Sequence, residues 1–268
     1  MLLKLKSVSK HYQMGETTIK ALNEVTLSIK EGEFIAIMGP SGSGKSTFLQ
    51  VASILAQPTA GEIFIKDKDV TQYDEVERSR LRNKEIGFIF QQFNLLPRTS
   101  ALDNVALPLV YAKVGTKERD ERAKAMLNKV GLGDRIKNTP AQLSGGQQQR
   151  VAVARALINN PSIIFADEPA GNLDSKSGEE IKRLLIDLNK EGKTIIMVTH
   201  EPDDAAIAKR LIMFKDGVIV DDSKIKGGKE IAAKSEKVAG NGEKVKAQLK
   251  SKKNKVEKLK RTKNKLKK

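Results

Sequence analysis

Short apolar runs recur along the chain and set its layout. Leu3-Lys4-Leu5-Lys6 alternates as a half-exposed strand does. A loop is expected around His11-Tyr12-Gln13, and a second strand with polar interruptions over Ala21 to Ile29. Four continuous runs, Phe34 to Met38, Ile86 to Phe90, Ser162 to Ala166 and Thr194 to Val198, read as strands buried on both faces. Gly61 to Ile65 is a further strand, and Leu211 to Lys215 with Val218 to Val220 flank Asp216-Gly217 as a hairpin. Helices are expected from Phe48 to Ala52, Asp74 to Arg82 and Val151 to Leu157, and over Ser175 to Asn189, whose Ile181, Leu184, Leu185 and Leu188 share one face. Ser100 to Val130 reads as mainly helical, broken at Pro108 and Gly115, which inserts a helical block into a strand-rich core.

Polar groups at the ends of the buried strands supply the chemistry. Residues 39–47, Gly-Pro-Ser-Gly-Ser-Gly-Lys-Ser-Thr, fill every fixed position of Gly-x-x-x-x-Gly-Lys-Ser between a strand and a helix. Gly39, Gly42 and Gly44 let backbone N–H groups approach a polyphosphate, with Ser41, Ser43 and Thr47 completing the loop. Lys45 is expected against the β- and γ-phosphates of a nucleotide and Ser46 on Mg²⁺. After Phe165-Ala166 come Asp167 and Glu168. Alternation along a strand separates their directions, so Asp167 suits a metal ligand and Glu168 a general base for water. His200, one of two histidines, follows another strand end and is a candidate for the terminal phosphate. Ser144, Gly145, Gly146 and Gln147 form a capped, glycine-rich helix start, a second candidate anion site. Tyr12 is either a platform for a base or a packing residue.

Charge changes the picture at one end only. The chain of 268 residues carries +16, but residues 223–268 hold 18 Lys and Arg against 4 Glu, leaving the body nearly neutral. The basic tail is expected to be disordered or a basic helix; Ile231, Val238, Val245, Leu249, Val256, Leu259 and Leu266 fall on heptad positions within it. Absence of cysteine excludes thiol chemistry and disulfides. No stretch reaches the roughly 18 apolar residues of a membrane span, and the N-terminus lacks a signal peptide's features, so a cytosolic location is expected.

Over residues 1–222 the chain resembles the nucleotide-binding subunit of an ATP-binding-cassette (ABC) transporter. The phosphate loop, Gln91, Leu143 to Gln147, Asp167-Glu168, Gly171-Asn172-Leu173-Asp174 and His200 occur in that family's order. The resemblance implies an α/β phosphate-loop NTPase with an antiparallel β subdomain and an inserted helical subdomain at about residues 95–160. It also implies that Tyr12 stacks on adenine, that Gln91 touches Mg²⁺ and the attacking water, and that Ser144, Gly145 and Gly146 bind the γ-phosphate of ATP held by a second copy. Asp174 would act across the same head-to-tail dimer. Residues Phe90 to Pro97 and Glu168 to Asp174 are similar to the lipoprotein-releasing, macrolide-export and cell-division group, departing at Ala170 and Ser100, where that group usually has threonine.

That resemblance implies a peripheral ATPase at the inner membrane face that powers a separate transmembrane permease for export or extraction. The tail adds possible attraction to anionic lipid. A nucleic-acid or ribosome ATPase is the alternative the tail suggests, and nucleic acid is disfavoured because the body lacks the insertions and duplication of such relatives. A non-transporting regulator of a membrane protein is the other.

Overall fold

The computed structural model describes residues 1–225. The expectations for the tail, including its heptad positions, lie outside the described residues. Two sheets organise the chain. β1 (Leu3–Met14), β2 (Thr17–Ile29), β4 (Ala60–Ile65) and the short β5 (Lys68–Asp69) form an antiparallel sheet in the order β2-β1-β4-β5. The second sheet has the order β10-β9-β3-β8-β7-β6, built from β3 (Phe34–Met38), β6 (Ile86–Ile89), β7 (Ile163–Asp167), β8 (Thr194–Val198), β9 (Arg210–Lys215) and β10 (Val218–Lys224). Neighbours from β9 to β6 run parallel, and β10 returns antiparallel to β9.

The continuous apolar runs become the interior of this sheet because helices cover both its faces. Every residue of β3 and β8 is buried. On one face α1 (Lys45–Ala52) packs Phe48 and Val51 with Ile35, Ile37, Phe165, Ile196 and Phe214. On the other, α5 (Gly145–Leu157) and α6 (Ser175–Lys190) contribute Val153, Leu157, Ile181, Leu185 and Leu188 against Phe34, Ile164, Ile195 and Met197. The helical block has its own core, in which α3 (Ala101–Tyr111) and α4 (Thr116–Lys129) pack Val105, Leu109, Ala123 and Leu127 against Val151 and Ala154 of α5. α5 therefore belongs to both cores. α2 (Glu75–Glu85) carries a capping box at Asp74 and Glu77, and the four-residue α7 (Pro202–Ala205) leads into β9.

Three local expectations are corrected. The expected loop around His11-Tyr12-Gln13 is strand: β1 and β2 pair outward through His11↔Lys20 and Tyr12↔Ile19 to a turn at Gly15. Its outer half is solvated on both sides, so it shows little apolar alternation. Pro108 does not break its helix but lies inside α3. Its cost of about 3 kcal/mol is offset by burial of Val105, Ala106 and Leu109 on either side. Last, the body does not end at Asp222. β10 continues to Lys224, Asp222 is paired with Arg210 at 2.7 Å, and the Ile225 N–H donates to Lys209 O at 3.1 Å.

Candidate active site

The phosphate loop is held from behind by the antiparallel sheet and the last hairpin. Gly44, the N-cap of α1, has φ +102°, and a Cβ there would sit 2.4 Å from the Ala21 carbonyl oxygen of β2. Only glycine fits so close an approach. Asp216 and Gly217 take φ +49° and +80°, as a two-residue hairpin turn requires. That turn docks on the loop, the Gly217 N–H donating to Ser43 O at 3.0 Å while Gly217 O accepts from Asn23 N–H at 2.9 Å. Gly42, at φ +75° with nothing within 4 Å of a Cβ position, lines the open side. Ser43 is buried.

A cleft of about 590 Å³ opens beyond this loop, lined by Gly39, Ser41, Gly42, Lys45 and Ser46 from one side and by Asp167, Glu168 and His200 from the ends of β7 and β8. Lys45 Nζ donates to Gly39 O at 2.8 Å and Pro40 O at 2.9 Å. Burial pushes the Lys45 ammonium below the usual lysine value, while the carboxylates of Glu168 and Asp167 oppose this. Burial pushes the Asp167 carboxyl up, the Glu168 charge adds to that, and Lys45 opposes it. A cation beside Asp167 would relieve both causes.

The two adjacent carboxylates do not separate by strand alternation, as the sequence suggested. Both line the same cleft. β7 ends at Asp167, and Glu168 adopts φ +44°, a left-handed conformation that costs a side-chain-bearing residue on the order of 1 kcal/mol. Its N–H donates to Val198 O at 2.8 Å, which fixes the turn to the end of β8. Glu168 Oε1 is 2.7 Å from His200 Nδ1, and Glu201 Oε1 is 3.1 Å from the opposite ring nitrogen. The hydrogen bond to Glu168 holds the imidazole pKa above its ordinary value.

The other expected site residues are arranged around this cleft without lining it. Gln91 is tied to the loop after Glu168, its Nε2 donating to Asn172 Oδ1 at 3.4 Å and its carbonyl accepting from Asn172 Nδ2 at 3.0 Å. Tyr12 stands on the outer hairpin, 39% exposed, with Lys10 Nζ 5.3 Å from its ring centroid. Ser144 caps α5 in a reciprocal pair: its Oγ accepts from Gln147 N–H, and Gln147 Oε1 accepts from Ser144 N–H. Gly145 and Gly146 follow in the first turn, Gly145 beside Leu173 and Gly146 against Ser177 of α6. Asp174 caps α6, accepting from Ser177 N–H at 3.0 Å; the Ser177 hydroxyl, and after it that N–H, holds its carboxyl below the usual range.

Sequence reasoning missed Asn172, Glu201, Gln149 and Arg155 as parts of this arrangement. Gln149 carried a signal, since it stands at the same helical spacing as buried Val153 and Ala156. Glu201 carried one too, as the neighbour of His200 in the chain, whereas Asn172 and Arg155 become meaningful only through partners distant in sequence.

With this geometry in place, the comparisons with known proteins are decisive. The ABC transporter family profile matches residues 22–171. The chain belongs to that family. The ATP-binding protein YknY of Bacillus subtilis is 49% identical over 82% of this chain and 95% of its own length. The macrolide export ATP-binding/permease protein MacB of Bdellovibrio bacteriovorus is 51% identical over 84% of this chain; the chain spans about a third of it, 34%. The dimeric structure of MJ0796, an ATP-binding cassette of Methanocaldococcus jannaschii, in a post-hydrolysis state with ADP and Pi, is 50% identical with a TM-score of 0.78, covering 84% of this chain and 100% of that one. The protein is thus an ATP-binding ABC cassette with the fold of an ATPase.

Proposed function

We propose that this cassette hydrolyses ATP as a head-to-tail homodimer at the inner face of the cell membrane and drives a separate transmembrane permease that exports or extracts a substrate such as a lipoprotein, lipid, peptide or drug. One observation carries the reading. The phosphate loop, Asp167, Glu168 and His200 share one cleft, whereas Ser144 is exposed at the start of another helix, with Gly145 half-buried and Gly146 buried behind it, and none of the three lines that cleft. A second copy placed head to tail supplies that helix start to the phosphates. The dimeric MJ0796 structure and the permease-bearing MacB relatives support dimer and membrane partner respectively.

In this reading the P-loop amides, Lys45 and the partner subunit's Ser144 neutralise the phosphates. Ser46, Asp167 and Gln91 would hold Mg²⁺; so few protein ligands suit an ion that keeps phosphate and water ligands. Mg²⁺ supplies charge neutralisation at the phosphate oxygens. Glu168 would accept a proton from the attacking water, His200 would contact the terminal phosphate, Gln91 would orient that water, Tyr12 would stack on adenine, and Asp174 would act across the interface. The lysine-rich segment after residue 225 would add attraction to anionic lipid. Among the described residues no helix is long and apolar enough to cross a membrane.

The test is a detergent pull-down of the full chain and of a version ending at Ile225, with the captured polypeptides identified. A multi-span membrane protein with both supports the motor. Ribosomal proteins or RNA with the full chain alone would replace it by the nucleic-acid reading.

A further inference from the structure

α5 does more than present Ser144. Gln149, on its second turn, is completely buried. Its Nε2 donates to two carbonyls from different segments: Pro169 O at 2.7 Å, immediately after Glu168, and Phe90 O at 3.3 Å, immediately before Gln91. Its Oε1 has no hydrogen-bond partner among the described residues. A buried amide with an unsatisfied acceptor carries a penalty of roughly 1–3 kcal/mol. The two carbonyls it serves come from segments far apart in the chain, and the amide is what joins them.

One turn and a half further along, the same helix grips the Gln91 segment again. Arg155 donates to Phe93 O at 2.8 Å and to Asn94 O, and Phe93 and Asn94 both have positive φ. Burial pushes the Arg155 guanidinium pKa down. The segments joined by Gln149 meet again at Gly171, where a Cβ would lie 3.1 Å from Gln91 Nε2 and 3.4 Å from Glu168 Oε2. Gly171 therefore faces both the Gln91 amide and the Glu168 carboxylate, and Gln149 ties together the two backbones that carry them.

We propose that Gln149 is a positioning residue for ATP hydrolysis, its buried amide clamping Phe90 O to Pro169 O and thereby fixing Gln91 relative to Glu168. The inference rests on the roles assigned above to Gln91 and Glu168. Displacement of reacting groups by about 1 Å costs on the order of a hundredfold in rate, so losing the clamp lowers turnover. Nucleotide affinity is held elsewhere, by the phosphate loop.

The test uses the full chain with Gln149→Met, which keeps volume and apolar packing but removes both donors. Turnover, ATP affinity and thermal midpoint are measured beside those of Glu168→Gln. The expected result is kcat lowered about tenfold to a hundredfold, with ATP affinity within twofold, while the thermal midpoint falls by a few degrees because two carbonyls lose their donor. If Gln149→Met does not fold, Gln149→Asn retains the amide one methylene short and carries the same expectation. Unchanged kcat, or a loss of kcat matched by loss of ATP affinity and of thermal midpoint, overturns the proposal. Turnover of Glu168→Gln near that of the unsubstituted chain overturns instead the reading of Glu168 on which it rests.

Discussion

His200 Nδ1 lies 2.7 Å from Glu168 Oε1, although 32 residues separate the two in the chain. Each stands just past the end of one of two adjacent parallel strands, β7 and β8, and the Glu168 N–H donates to Val198 O at the end of β8. The pairing therefore follows from sheet order.

Among the described residues, Glu168 and Asp167 are the carboxylates that line the cleft. Glu168→Gln preserves size and removes the carboxylate proposed to accept the proton of the attacking water. Phosphate release should fall a hundredfold or more while ATP stays bound and the dimer accumulates, seen by gel filtration with ATP. Turnover near that of the unsubstituted chain would contradict the role.

The His200–Glu168 contact predicts a titration. Because the folded pKa is raised, the contact stabilises the fold fully below the unfolded value of about 6.5 and is lost as pH rises through the folded value. The His200 ring signals, distinguished from those of His11 by His11→Gln, should titrate above the ordinary histidine range, and Glu168→Gln should bring them back towards it. An unchanged midpoint in Glu168→Gln would show that Glu168 does not hold the imidazole.

Lys45→Ala removes the ammonium that binds Gly39 O and Pro40 O at 2.8 and 2.9 Å. It also removes a charge-assisted donor to phosphate. ATP affinity should fall at least about tenfold, measured by titration with a fluorescent nucleotide, while far-ultraviolet circular dichroism stays unchanged. Retained affinity would assign phosphate binding to the loop amides alone.

Gly146 abuts the start of α6: a Cβ there would sit 2.5 Å from Ser177 Oγ and 2.7 Å from Ser177 Cβ. Gly146→Ala should destabilise by about 1–3 kcal/mol in urea unfolding. Adding Ser177→Gly should return most of that loss. Failure of the second substitution to compensate would place the strain elsewhere.

Much of this protein is written in short stretches of its sequence. Gly39 to Thr47 specify a phosphate loop because glycine positions, lysine and hydroxyl lie within one turn of chain, and that chemistry is local. The fully buried strands β3 and β8 are legible for the same reason: continuous burial leaves a continuous apolar run. The outer half of the β1–β2 hairpin was not legible, since its order comes from partners such as Tyr12↔Ile19 rather than from an apolar face. Pro108 misled because burial around it outweighs the local penalty.

The sequence by itself determined which side chains are present for nucleotide chemistry and at which strand ends they occur. Only the tertiary structure decided that the left-handed turn at Glu168 brings both carboxylates into one cleft, and that Gln149 joins the Gln91 and Glu168 segments. Local chemistry depends on neighbours in the chain, whereas these contacts depend on strand order and helix packing, which bring together residues 20 to 59 positions apart.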